Sequence, residues 1–101
     1  MYYTYILQSE KTGMFYRGMT NDLIRRFKEH NNFEEKFTKR GVPWRLVWYA
    51  TKSTRSEAFK LEMKIKNIKS HKRLMSFIKK YPCVGGPDVP PVEEVWMKTM
   101  Q

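Results

Sequence analysis

The run Tyr2 to Gln8 (YYTYILQ) constrains this chain more than any other stretch. It is aromatic and β-branched throughout, which reads as a strand. Successive side chains of a strand point to opposite faces. Tyr3, Tyr5 and Leu7 therefore share one face, and Tyr2, Thr4 and Ile6 share the other. Both faces carry apolar bulk, so the strand is expected at the centre of a sheet with cover on both sides. Glu10-Lys11-Thr12-Gly13 is a polar turn in which Gly13 supplies a positive φ. Met14 to Arg17 is expected to return as a second strand, closing a β-hairpin, with Gly18 ending it.

A helix follows, from about Asn21 to His30. Thr20 suits its N-cap, and Asp22 suits a first turn where the dipole favours negative charge. Leu23, Ile24 and Phe27 form its apolar stripe. Arg26 and His30, four residues apart, lie together on one edge of that stripe. Arg25, Lys28 and Glu29 are expected to face water. Residues 31–43 are polar and basic and read as a loop with at most a short helical turn. Trp44 to Thr51 reads as a third strand, with Trp44, Leu46 and Trp48 on one face and Arg45, Val47 and Tyr49 on the other. Thr54-Arg55-Ser56-Glu57 has the form of a capping box. The helix it opens runs from Arg55 to about Asn67 with the stripe Ala58, Leu61 and Ile65. Glu62 falls inside that stripe. A carboxylate on a buried face is costly unless it is paired or binds a metal. Ser70 can cap a third helix, about His71 to Lys80, with Leu74, Phe77 and Ile78 inward, and Pro82 stops it. The order β-β-α-β-α-α indicates an α+β fold, a small mixed or antiparallel sheet flanked by helices.

The 101 residues suit a single domain, spanning 1–81 here. Residues 82–101 hold four of the five prolines and two of the five glycines, which reads as an extended tail. Charge divides at the same place. Residues 1–81 carry 19 Lys and Arg against 7 Asp and Glu, whereas the tail carries one Lys against three acids. A domain this basic points to a polyanionic partner, nucleic acid before anionic membrane. The single cysteine, Cys83, excludes an intrachain disulfide and a zinc site built on two cysteines of this chain. No stretch approaches the ~20 apolar residues that span a bilayer, and no signal core follows the N-terminus, so the cytoplasm is the expected compartment.

Five polar residues stand at inward or edge positions: Tyr5, Tyr16, Arg26, His30 and Glu62. Phosphodiester hydrolysis requires an activated water, neutralised phosphate charge and a stabilised leaving oxygen. A carboxylate can hold one Mg²⁺ in a sparse oxygen site. A guanidinium matches a phosphate bidentately. A tyrosine or histidine can move the proton. Taken singly, each residue has an ordinary explanation: strand tyrosines pack, an Arg–His pair at i, i+4 is a solvated helix edge, and a lone inward acid is paired. Without more, the reading is a basic α+β domain that binds nucleic acid.

Tyr3-Thr4-Tyr5, then Tyr16-Arg17-Gly18, then Arg26 and His30, then a helix bearing Glu62, resembles the GIY-YIG nuclease family, in particular its small stand-alone bacterial branch. The resemblance continues through LVWY and RSEAFKLEMKIK and covers about residues 1–80. It implies a three-stranded antiparallel sheet flanked by helices and one divalent cation, Mg²⁺ or Mn²⁺. It further implies a tyrosine, Tyr5 or Tyr16, as general base or water-orienting group. Arg26 would sit on the scissile phosphate, His30 would assist proton transfer, and Glu62 would be the metal ligand. The substrate implied is DNA, cleaved by an endonuclease in repair or recombination; a non-catalytic binding module on the same scaffold is the alternative. The departures are YTY for GIY and YRG for YIG. Arg17 needs a partner or an exit to solvent if it faces the packed side, and adds a phosphate contact if it faces DNA. Asn67 stands only five residues beyond Glu62 and is left outside the catalytic set. Arg17, Arg25, Lys28, Lys36, Lys39 and Arg40 are the candidate nucleic-acid contacts, while Lys60 to Lys80 reads equally as a contact surface or a solvated face. Phosphate contacts carry no sequence information, so branched, flapped or single-stranded DNA is the expected target.

Overall fold

The central position of the first strand follows from its two apolar faces. In the computed structural model, which describes residues 1–32 and 37–80, β1 (Tyr2–Ser9) lies between β2 (Phe15–Thr20) and β3 (Trp44–Lys52), antiparallel to both. Three helices complete the order: α1 (Leu23–Asn31), α2 (Arg55–Lys66) and α3 (His71–Lys80). A short 3₁₀ turn, Lys39–Gly41, interrupts the connection into β3. The architecture is the expected α+β fold with a three-stranded antiparallel sheet. Lys36 and the tail 82–101 lie outside the described residues. Among the described residues, no helix is long and apolar enough to cross a membrane.

The two faces of β1 build two cores. Tyr5 and Leu7 join Leu23, Phe27, Trp44, Leu46 and Tyr49 on the α1 side. Ile6 joins Trp48, Ala50, Ile65 and Leu74 on the α2–α3 side. Thr4, fully buried, donates its hydroxyl to the Ala58 carbonyl at 2.8 Å and so ties α2 to the central strand.

Three local expectations are corrected. Gly18 does not end the second strand. It pairs with Tyr5, and β2 continues to Thr20. Thr20 is consequently a strand residue, and its hydroxyl accepts from the Asp22 amide at 3.1 Å. The N-cap of α1 is Asp22, whose side chain accepts from the Arg25 amide at 3.1 Å. In β3 the expected alternation fails. Ile6 pairs with Trp48 and Leu7 with Leu46, which leaves Val47 as the extra residue of a β-bulge. The insertion shifts the phase, so Trp44, Leu46 and Tyr49 face α1 while Val47, Trp48 and Ala50 face α2 and α3.

The remaining helix signals act as the sequence indicates. The Thr54 side chain accepts from the Glu57 amide at 3.2 Å, and Ser70 Oγ accepts from the Arg73 amide at 3.4 Å. Asn67 is the C-cap of α2.

Candidate active site

Gly18 decides how the site is assembled. An ideal Cβ built there would stand 2.6 Å from the Tyr5 hydroxyl oxygen, 2.7 Å from Tyr5 Cζ and 3.2 Å from Tyr16 Cε1. The Tyr5 ring thus lies in space that any larger residue would fill, directly over the β2 backbone. That placement carries the Tyr5 hydroxyl across β2 toward α1. There it meets Nε2 of His30 at 2.9 Å. His30 occupies the inward face of α1 with Leu23 and Phe27, and no part of it reaches solvent.

Tyr16 encloses the pair. Its ring centroid lies 4.8 Å from that of His30 and 6.3 Å from that of Tyr5. Arg26, half-buried one turn before His30, lowers the pKa of the Tyr5 hydroxyl by its charge and holds Glu29 Oε2 at 3.0 Å. Glu29 is therefore half-buried rather than fully exposed. Glu62, on the inward face of α2, is 8% exposed and acts electrostatically on the same Tyr5 hydroxyl. Its carboxylate is paired with Lys66 Nζ at 2.6 Å, one turn along the helix.

Burial raises the pKa of Tyr5 well above the ordinary phenol range. The neighbouring Tyr16 and Glu62 push in the same direction, against the charge of Arg26. Tyr5 is accordingly a neutral phenol in the resting protein. The acceptor placed to receive its proton is His30 Nε2, at 2.9 Å.

Tyr5, Tyr16 and His30 are packed together, Arg26 and Glu62 act on the Tyr5 hydroxyl by charge, and Glu62 itself is held on α2 by Lys66. The candidate nucleic-acid contacts divide. Arg17 Nη2 donates to the Ile68 carbonyl at 2.9 Å, just beyond the end of α2, and burial lowers its pKa from the usual guanidinium value. The partner that a packed-side arginine requires is thus a main-chain carbonyl. Arg25 is exposed and lies near Asp22 and Glu29 at 3.8 and 3.6 Å. Lys28, Lys39 and Arg40 are exposed. Arg25 and Lys28 line an open groove on the outer side of α1 together with Asp22, Ile24 and Glu29.

Sequence reasoning missed Thr38 and the residues that hold it. Thr38 is completely buried, and its hydroxyl lies 2.9 Å from His30 Nδ1. Its carbonyl accepts the Trp44 indole N–H at 2.6 Å and the Gly41 amide at 3.0 Å. The Gly41 carbonyl in turn accepts from Ser9 Oγ at 2.6 Å. Asn31 meets the Trp44 backbone with both ends of its amide, accepting from N at 2.6 Å and donating to O at 3.0 Å. One threonine in a basic loop carries no periodicity or spacing that would mark it.

The frame that carries Tyr5, Tyr16, Arg26, His30 and Glu62 is a three-stranded antiparallel sheet flanked by three helices. The family model described as the GIY-YIG catalytic domain matches residues 1–80, and the chain belongs to that family. It is 38% identical over 74 residues to a UPF0213 protein of Staphylococcus saprophyticus, covering 72% of this chain and 89% of the relative. It is 39% identical over 71 residues to a UPF0213 protein of Cupriavidus necator, covering 68% and 75%. A UPF0213 protein of Photorhabdus laumondii is 32% identical over 82 residues, covering 80% and 78%. No solved structure gives a significant match to the chain.

Proposed function

We propose that the chain is a divalent-metal-dependent endonuclease that hydrolyses DNA phosphodiester bonds, selecting DNA by structure rather than sequence, in repair or recombination in the cytoplasm. The observation that carries this reading is the Tyr5–His30 hydrogen bond. It is a buried proton donor–acceptor pair at 2.9 Å, with Arg26 and Glu62 both acting on the same hydroxyl. A purely structural tyrosine does not need a cation and a carboxylate converging on its oxygen.

The donor set suits a hard cation. Glu62 offers one nearly buried carboxylate, whose Oε1 is paired with Lys66 Nζ at 2.6 Å, so a bound cation would compete with the lysine for it. Among the described residues no three His, Cys, Asp or Glu come together as a cage. Mg²⁺ fits such a sparse site because it keeps several waters and is bound through one or two carboxylates plus substrate phosphate. When bound, the cation would offset phosphate charge and stabilise the leaving oxygen. The protein's residues do the rest. Arg26 binds the scissile phosphate. Tyr16 and Tyr5 orient the attacking water. Tyr5 takes the water's proton as it gives its own to His30 Nε2, so its oxygen never has to carry a full charge in a buried place. Lys28, Lys39 and Arg40 follow the phosphate backbone and add affinity without sequence preference.

The test is cleavage of labelled branched, flapped and single-stranded DNA with Mg²⁺ or Mn²⁺. Wild type is expected to nick at least one of them, and Glu62→Ala to lose the activity by about 10²-fold or more while still binding. Equal background nicking by both proteins would leave a nucleic-acid-binding module in place of an enzyme.

A further inference from the structure

His30 has two ring nitrogens, and the site needs them in opposite states. In a neutral imidazole one nitrogen donates and the other accepts, and the partner of one fixes the state of the other. Nε2 faces the Tyr5 hydroxyl, and Nδ1 faces the Thr38 hydroxyl. Of the groups at Nε2, a phenol is a stronger donor than an imidazole N–H, and an imidazole nitrogen is a stronger acceptor than a phenol oxygen. The bond therefore runs from Tyr5 O–H to Nε2, which puts the ring proton on Nδ1.

We propose that Thr38 is the positioning residue of this site, its hydroxyl accepting the Nδ1–H of His30 so that Nε2 stays open to the proton of Tyr5. Its role in turnover rests on the nuclease reading above; its effect on the histidine does not. Thr38 is built to hold still. Its carbonyl receives the Trp44 indole and the Gly41 amide, and Trp44 is itself clamped by Asn31. Gly41 has no room for a side chain, since a Cβ there would stand 2.5 Å from Trp44 Cζ2. A ring that becomes an imidazolium in full burial also needs an acceptor at Nδ1, and the same hydroxyl provides it.

The experiment is long-range ¹H–¹⁵N NMR of the imidazole rings in the full chain. It compares wild type with Thr38→Val, which keeps the shape and removes the acceptor, and Thr38→Ser, which keeps the hydroxyl. The sequence contains two histidines, so His71→Gln assigns the signals. Wild type and Thr38→Ser are expected to show His30 as the Nδ1–H tautomer, and Thr38→Val to shift it toward Nε2–H. In DNA cleavage, kcat of Thr38→Val should fall about 10- to 100-fold, the range for removing an orienting partner from a functional histidine, with KM unchanged. Thr38→Ser should restore it. An Nε2–H tautomer in wild type overturns the proposal, as does an unchanged tautomer in Thr38→Val. If Thr38→Val does not fold, the wild-type and Thr38→Ser spectra still decide. If wild type cleaves no DNA, the nuclease reading fails while the tautomer result stands by itself.

Discussion

The two faces of the sheet are built differently: the buried cluster on the α1 side is mostly aromatic, and that on the α2–α3 side is mostly aliphatic. On the α2–α3 face, Ile6, Trp48, Ala50, Ile65 and Leu74 form a dry core, with Trp48 and Phe77 meeting edge-on at 5.2 Å. On the α1 face, the core is threaded by Tyr5, His30 and Thr38, each fully or almost fully buried and each hydrogen-bonded. A buried polar group left without a partner costs about 1–3 kcal/mol. The α1 face therefore tolerates its polar groups only as a complete chain. The α2–α3 face supplies stability mainly through apolar contact, with Thr4 and Glu62 as its buried polar groups, and the α1 face holds the Tyr5–His30–Thr38 chain in fixed directions.

That contrast can be broken from either side. The largest effect on stability should come from the dry face. Leu74→Ala opens a cavity far from the tyrosines and is expected to cost about 2–5 kcal/mol. A denaturant midpoint measures the loss, and kcat per folded molecule should stay at the wild-type level. A fall in kcat matching the fall in stability would show that the two faces are not separable. Gly18→Ala is next. Its Cβ would collide with a Tyr5 ring pinned by His30 rather than with a flexible tip. Overpacking of that kind is expected to cost about 1–3 kcal/mol. Here, unlike Leu74→Ala, nicking should fall further than the folded fraction does. The smallest effect belongs to the surface. Lys28→Ala should leave stability unchanged and reduce the salt dependence of DNA binding, with the log–log slope shallower by about 0.9 if one phosphate contact is lost. A slope identical to wild type would remove Lys28 from the interface.

How much of this was legible in the sequence depended on whether a residue broke its local pattern. Glu62 could be found because a carboxylate interrupts an apolar stripe. The central strand could be found because both its faces are apolar. Gly18 could not be placed correctly, since glycine ordinarily weakens a strand and only the ring of Tyr5 lying over it explains its presence there. The bulge at Val47 left no mark either. Arg45 is the one charged residue of Trp44 to Ala50, and from Leu46 onward both faces are apolar, so a change of phase at Val47 displaces no polar side chain that would betray it. Arg17 posed a question that the sequence could frame but not answer, because its partner is the Ile68 backbone, 51 residues away. His30 was placed at an edge, although its imidazole is completely enclosed. The enclosing partner, Thr38, comes from a loop whose composition says only that it is basic.

The bulge has a consequence for how this chain can change. Trp44 and Trp48 are four residues apart and would share a face in an unbroken strand. The extra residue sends Trp48 into the dry core and leaves Trp44 to grip the Thr38 carbonyl. Individual side chains along β3 can be exchanged for others of similar volume, but with four residues from one indole to the other the bulge cannot be lost alone. Closing the bulge at unchanged length would set the two indoles against each other for one face, whereas loss of Val47 would leave them three residues apart and still on opposite faces. Spacing and bulge are thus inherited as a pair, independent of which residues fill the strand.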